Sequence, residues 1–385
     1  MKPNWPTKKL GEVCEIIAGQ APPSDFYNKE GKGMPFLRVN SFGEIYPKVD
    51  SWTTKPLKLS RNNDVLLSVA GSVGFVNLGI NACITRSIFA LRPNKEILQK
   101  FLFYILKSKS KVLSGIGQGS AQRIITRKQI ESFKISLPPL SEQQKIVYIL
   151  NSIQDAIGVQ EKIIEKTKEL KKSLLNEIFN SKIKNQKWTK LENTNYFEIK
   201  LGGTPKTNVA EYWNGKIYWI TPNDLNKLHS QYISNTERKI TQKGLNTGST
   251  LLPAGSIILS TRAPIGYLAI LNEDMAFNQG CKGIVVKKPD EVSNLYLFYY
   301  LSTQISKLKE LGSGSTFREL STLDLEQFSI PLANITQQRE IADILQTIDQ
   351  KIEIEQKKKT LYEELFKTIL NKLMTGEIRV DNLKL

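Results

Sequence analysis

The stretch SLPPLSEQQKIVYILNSIQDAI (136–157) returns as PLANITQQREIADILQTIDQKI (331–352), and the offset between them is a constant 195. The same offset holds without a gap from residue 102 to residue 157 against 297 to 352. It pairs Leu102, Phe103 and Tyr104 with Leu297, Phe298 and Tyr299, and Phe133 and Ile135 with Phe328 and Ile330. Downstream, Ile146, Ile149, Leu150, Ile153 and Ile157 fall on Ile341, Ile344, Leu345, Ile348 and Ile352. A period this long exceeds any solenoid repeat, so the chain reads as two domain-plus-helix modules related by an approximate two-fold.

From Ser141 to Phe179 apolar residues recur every three or four positions, and the pattern repeats from Ile341 to Leu373. This spacing predicts two long amphipathic helices. Ser141 and Thr336 are the expected N-caps, with Gln144 and Arg339 three residues on, and the second helix should stop at Gly376. Gln160, Thr167 and Lys171 in one helix, and Glu355 and Lys359 in the other, interrupt the apolar seam. They read either as solvated positions or as devices that set register in a helix pair. A compact domain of about 150 residues has a radius of gyration near 15 Å and cannot easily bridge opposite ends of a rod of about 60 Å, which favours antiparallel helices.

The intervening segments contain β-rich runs broken by Gly, Pro and Asn: PFLRV (35–39), DVLLSV (64–69), SIFALR (87–92), KIYWI (216–220), SIILS (256–260) and GIVVKK (283–288). Each ends in a short helix, FLFYILKS or YLFYYLST, whose aromatic stripe reads as core. The expected fold class is therefore mixed α/β (α+β) domains in two copies, separated by two long antiparallel coiled-coil helices, with a pseudo-two-fold internal repeat. Expected boundaries are 1–140 and 181–335 for the domains, 141–180 and 336–375 for the helices, and 376–385 for a tail.

The 385 residues carry a net charge of +17, which is unevenly placed. Residues 1–140 hold 21 Lys/Arg against 9 Asp/Glu and residues 181–335 hold 18 against 13, while both helical segments are balanced. A surplus confined to the globular segments points to a polyanion, with double-stranded DNA the leading partner. No apolar run reaches membrane-span length and the start MKPNWPTKK lacks a secretory pattern, so a cytoplasmic location is expected. The three cysteines, Cys14, Cys83 and Cys281, are far apart and read as reduced and mostly buried.

Catalytic patterns are missing. His229 is the single histidine, which leaves no HExxH and no His-paired nucleophile. The turn GSGSTFRE (312–319) has the wrong spacing for a phosphate loop, LPPL (137–140) lacks the flanking residues of an amino-methyltransferase motif, and no PD…ExK set assembles around Pro289 and Asp290. The chain thus reads as a non-enzyme with no catalytic residue, metal or cofactor of its own. Loop pairs carry the candidate contacts instead: GQAPPS (19–24) with GGTPKT (202–207), LRVNSF (37–42) with ITPNDL (220–225), SVAGSVG (68–74) with STRAPIG (260–266), and GSAQR with GSTFR. In and around them Arg38, Asn40, Ser72, Arg86, Gln122, Arg123, Lys206, Thr221, Asn223, Arg262, Lys282 and Arg318 are the candidate DNA-binding residues, because Arg reads guanine and Asn or Gln reads adenine. Each of these loops can equally be a turn held together by its own Gly and Pro.

LPPLSEQQKI and IPLANITQQREI, each opening a long helix after a recognition domain, make the layout resemble the specificity (S) subunit of type I restriction-modification systems over essentially the whole chain. Ala-Asn in the second copy replaces Pro-Pro at the helix entry. The resemblance implies a non-catalytic protein whose two domains each read half of a bipartite, asymmetric DNA site. It also implies two modification (methyltransferase) subunits, with S-adenosylmethionine on them, clasping the helical pair, and restriction subunits as further partners. The rival readings are a stand-alone DNA binder or helical scaffold without methyltransferase partners, and a combined enzyme, which the missing motifs disfavour. If the helical pair acts as a ruler, lengthening both helices by one heptad will change the spacing between the half-sites read out by methylation sequencing; unchanged spacing would refute the ruler.

Overall fold

The computed structural model describes residues 5–116, 124–182, 186–228, 230–312 and 319–380. It divides into two compact units, Met1–Val159 with Lys359–Leu385, and Gln160–Lys358. Helices Leu140–Glu177 (38 residues) and Ile335–Met374 (40 residues) each contribute to both units.

In the first unit an antiparallel sheet orders its strands Cys14–Ala18, Ile88–Pro93, Val65–Ser68 and Val76–Leu78. Val65, Leu66 and Leu67 are all fully buried, which is why this strand reads as an unbroken apolar run and not as an alternation. The helix Gln99–Ser108 buries Phe101 through Leu106 in the same core, together with Ile146, Leu150 and Ile157 of one long helix and Phe366, Leu370 and Leu373 of the other. A second sheet sets Met34–Leu37 parallel to Ala82–Ile84, with Phe36 opposite Cys83.

The second unit repeats this design. Its main sheet runs Phe197–Leu201, Cys281–Val286, Ile257–Ser260, Leu268–Leu271 and Tyr232–Ile233. Strand Trp213–Ile220 lies parallel to Met275–Phe277, and helix Asn294–Thr303 buries Tyr296 through Leu301. Both aromatic stripes are therefore core. Each unit also pairs an early strand with the strand just before a long helix, Thr7–Lys9 with Lys134–Ser136 and Lys187–Lys190 with Ser329–Leu332. Cys14, Cys83 and Cys281 are free and buried, and burial pushes the thiols of Cys14 and Cys281 up to about 12.

The caps differ from expectation. Both long helices start one residue ahead of the expected cap, which moves Ser141 and Thr336 into the first turn. In the second helix Asn334 is the cap, its Oδ1 accepting from Gln337 N at 2.9 Å. Pro139 holds the same place in the first, where only its carbonyl is used, accepting from Gln143 N at 3.0 Å. The stop at Gly376 is as expected: its φ is +70°, and its N–H closes on Leu373 O at 3.1 Å.

One fully buried glutamine joins each long helix to the domain that precedes it. Gln143 accepts from Leu98 N at 2.8 Å and donates to Glu96 O and Pro138 O, both at 2.9 Å. Gln338, 195 residues on, accepts from Ser293 N at 2.9 Å and donates to Glu291 O at 3.0 Å and Ala333 O at 2.8 Å. Every partner is shifted by the same offset. In the second unit the seam polars are paired: Gln160 donates to Glu355, and Lys171 bonds Asp349 at 2.6 Å. Numbers rise along one helix as they fall along the other, so these segments run antiparallel. Thr167 returns its hydroxyl to Ile163 O at 2.7 Å. Replacing Gln143 by Leu strands one buried N–H and weakens two carbonyls, and is expected to cost about 2–4 kcal/mol. Chemical denaturation measures this, and a midpoint equal to the parent's would show that the amide holds nothing.

Candidate nucleic-acid interface

In the first unit three turns converge on one cleft of about 840 Å³ lined by Arg38, Asn40, Ser72, Arg86 and Ile124 among others. The strand Met34–Leu37 ends at Arg38, whose N–H bonds Ser41 Oγ at 3.1 Å and so opens a single 3₁₀ turn that lifts Asn40 outward. The neighbouring loop is shaped by Ser68, which donates to Ser72 O at 2.6 Å and accepts from Phe75 N at 2.8 Å. Gly71 and Gly74, at φ +77° and +92°, supply conformations that L side chains avoid. The third turn carries Arg86 and is tied in by Val69 N to Ser87 O at 2.8 Å.

Arg38 and Arg86 are exposed, and neither meets a carboxylate among the described residues. Arg92 shows the contrast: it grips the buried Asp64 with two nitrogens, at 2.9 and 3.0 Å, and this bond raises its pKa. It is part of the scaffold. Two unneutralised guanidiniums beside an amide and a hydroxyl, in an open cleft, suit a polyanion with readable donor and acceptor edges.

The second unit builds the same loop on different residues. Ser260 donates to Pro264 O at 2.9 Å and accepts from Tyr267 N at 2.8 Å, and Gly266 takes φ +106°. Where Ala70 bridges Ile124 in the first unit, Arg262 bridges Glu319 here, with Arg262 Nε 3.0 Å from the carboxylate. Lys206 and Asn223 are exposed, the latter donating to Glu237 at 3.4 Å. Thr221 is occupied as the cap of helix Pro222–Asn226, its hydroxyl bonding Asp224 Oδ2 at 2.5 Å.

Lys282 is corrected by the structure. It lies on an interior strand of the main sheet, across from Leu201 and Leu259, and is 3% exposed. Its ammonium bonds Leu320 O at 2.6 Å and sits 3.7 Å from Glu319, while burial lowers its pKa. It supports the Glu319–Leu320 segment from beneath and presents nothing to a ligand. Gln122, Arg123, Arg318 and His229 lie outside the described residues. The glycines of two loops serve close approach: a Cβ on Gly19 or Gly202 would fall 2.1 Å from Thr85 O or Asn278 O. Glu319, Tyr27 and Phe36 escaped the sequence reading, since a lone Glu after a Gly-Ser run and two scattered aromatics carry no pattern. Among the described residues no group of three or more His, Cys, Asp or Glu could hold a metal, and no helix is long and apolar enough to cross a membrane.

The two units thus share matched turns that carry unmatched polar side chains. The chain belongs to the family of type I restriction modification DNA specificity domains, which it matches twice, over residues 2–169 and 185–363. It is 41% identical over 177 residues to the type I restriction enzyme MjaIX specificity subunit of Methanocaldococcus jannaschii, covering 44% of this chain and 40% of that one. The MjaVIII specificity subunit of the same organism is 27% identical across 99% of this chain and 94% of its own. The chain thus spans less than half the length of its more identical relatives and nearly all of a more distant one. The crystal structure of a type I restriction-modification system S subunit from M. genitalium has the same fold, with a TM-score of 0.60 at 18% identity over 96% of each chain.

Replacing Arg38 and Arg86 together by Ala is expected to weaken binding to duplex DNA about tenfold or more and to flatten the salt dependence by about one to two counterions. Titrations at several salt concentrations measure both, and an unaltered slope with unaltered affinity would remove the cleft from the interface.

Proposed function

We propose that this chain is the non-catalytic sequence-specificity subunit of a type I restriction-modification complex, working in the cytoplasm. Residues 1–140 and 181–335 act as its two target-recognition domains, 141–180 and 336–375 as its spacer helices, and 376–385 as a tail. Each domain reads one half of a bipartite, asymmetric site in double-stranded DNA. Two methyltransferase subunits carrying S-adenosylmethionine, and restriction subunits with them, assemble on this chain and perform the chemistry.

The observation that carries this reading is the equivalence of turns paired with inequivalence of side chains. Arg38 faces Thr221 in the alignment, Ala70 faces Arg262, and Ile124 faces Glu319. Equivalent strand ends and turns hold these positions, so the difference would lie in what each domain contacts. Arg38, Asn40, Ser72 and Arg86 would serve the first half-site, and Lys206, Asn223 and Arg262 the second, with Gln122, Arg123 and Arg318 completing the sets. Thr221, already engaged by Asp224, would act through the turn it caps.

Co-expression with an adenine methyltransferase, which this reading expects in a neighbouring reading frame, followed by sequencing for methylated adenines, is expected to yield one bipartite motif. Arg262→Ala should then relax one position in one half-site only. Tight site-specific binding by the chain alone, with no methylation conferred on co-expression, would favour a stand-alone DNA binder.

A further inference from the structure

The two recognition domains share an aromatic platform of which the repeat register shows only the pairing of Phe36 with Trp219. In the first, Tyr27 and Phe36 stack with centroids 4.6 Å apart, and the Arg38 guanidinium lies over both at 5.0 and 5.2 Å. In the second, Trp213 and Trp219 meet edge to face at 5.1 Å, and Arg238 lies 3.7 Å over the Trp213 ring and 5.3 Å from that of Trp219. Each platform also holds the Gly-Pro loop that precedes it. Tyr27 Oη donates to Pro22 O at 2.6 Å, Trp213 Nε1 to Lys206 O at 3.2 Å, and Trp219 Nε1 to Gly203 O at 3.1 Å.

The guanidinium reaches the platform by different routes. Arg38 lies just past the end of the strand that carries Phe36, whereas Arg238 stands on the antiparallel neighbour, opposite Trp219. The place opposite Phe36 in the first domain belongs to the buried Ser51, whose carbonyl accepts from Phe36 N at 2.8 Å. The place of Arg38 in the second domain belongs to Thr221, committed to Asp224. Each domain thus carries one Arg over the platform, at exchanged positions.

We propose that Arg238 is a DNA-contacting residue of the second recognition domain, the counterpart of Arg38, gripping a pair of acceptors on duplex DNA; this rests on the reading of the chain as a specificity subunit. Arg238 is exposed and meets no carboxylate among the described residues. The adjacent Glu237 is engaged by Lys227 at 3.1 Å, and Lys239 turns to the other strand face, over Tyr218 at 4.1 Å. Stacking on an indole face leaves the N–H edge of the guanidinium free and pre-orders a long side chain, the geometry suited to bidentate acceptors. On DNA those acceptors are guanine O6 with N7, or two phosphate oxygens.

The test uses the full chain in complex with the methyltransferase that the proposed function requires, comparing Arg238→Ala, Arg238→Gln and Arg38→Ala with the parent by duplex binding across salt and by methylation sequencing. Arg238→Gln keeps a planar group on the platform, and matching thermal unfolding curves verify the fold. Both Arg238 variants are expected to bind about tenfold or more weakly. Uniform weakening with the salt slope reduced by about one assigns a phosphate, whereas relaxation at one position of the second half-site assigns a guanine. Unchanged affinity, slope and motif in Arg238→Gln, with Arg38→Ala impaired, would overturn the assignment alone. Absence of sequence-specific binding by the parent complex would overturn the broader reading and this one with it.

Discussion

Two buried amides hold this architecture together. Gln143 and Gln338 each satisfy one backbone N–H and two carbonyls at the point where a recognition domain gives way to a long helix. The groups they bond come from the segment before the short core helix and from the helix entry itself. An unpartnered buried donor or acceptor costs about 1–3 kcal/mol, so no other angle between entry and domain satisfies the same set. The Gln of each helix-entry motif is therefore a joint. Its strict repetition keeps the two modules built alike while other residues diverge.

Around that joint, symmetry and divergence are divided between backbone and side chains. Ser68 and Ser260 shape the same loop by the same two bonds, and Gly74 and Gly266 take the same left-handed conformation. The side chains mounted on these loops share nothing in charge. The first cleft offers Arg38 and Arg86 without carboxylates, whereas in the second domain Arg262 is tied to Glu319, with the Lys282 ammonium beneath. The Glu319 carboxylate at this surface is compensated by two cations, as contact with a polyanion would require. One scaffold thus carries two different arrangements of charge.

Much of this was legible along the chain. The offset of 195, the apolar runs of the central strands, the aromatic helices as core and the stop at Gly376 all appear in the structure where local pattern placed them. Local pattern suffices there because burial on both faces of a strand, or along one stripe of a helix, writes itself into neighbouring residues. The helix starts were misjudged for a related reason: Ser and Thr are strong caps, yet Asn334 stands two residues earlier and took the role in one helix, while a proline filled the place in the other. In the first domain Arg38, Asn40, Ser72 and Arg86, drawn from three separate turns, do meet in one cleft.

By itself the sequence determined that the protein is a duplication, that each copy couples a mixed α/β domain to a long amphipathic helix, and that excess positive charge belongs to the domains. Those properties follow from periodicity and composition, which are local and additive. Only the tertiary structure decided which cations are free, for pairing depends on what chain folding brings within a few ångströms. Lys282 and Arg262 look equally available in the sequence, but one is buried under the Glu319–Leu320 segment and the other is held by a glutamate 57 residues away. Arg238, which no repeat register marks, gains its place over two indoles through antiparallel strand pairing alone.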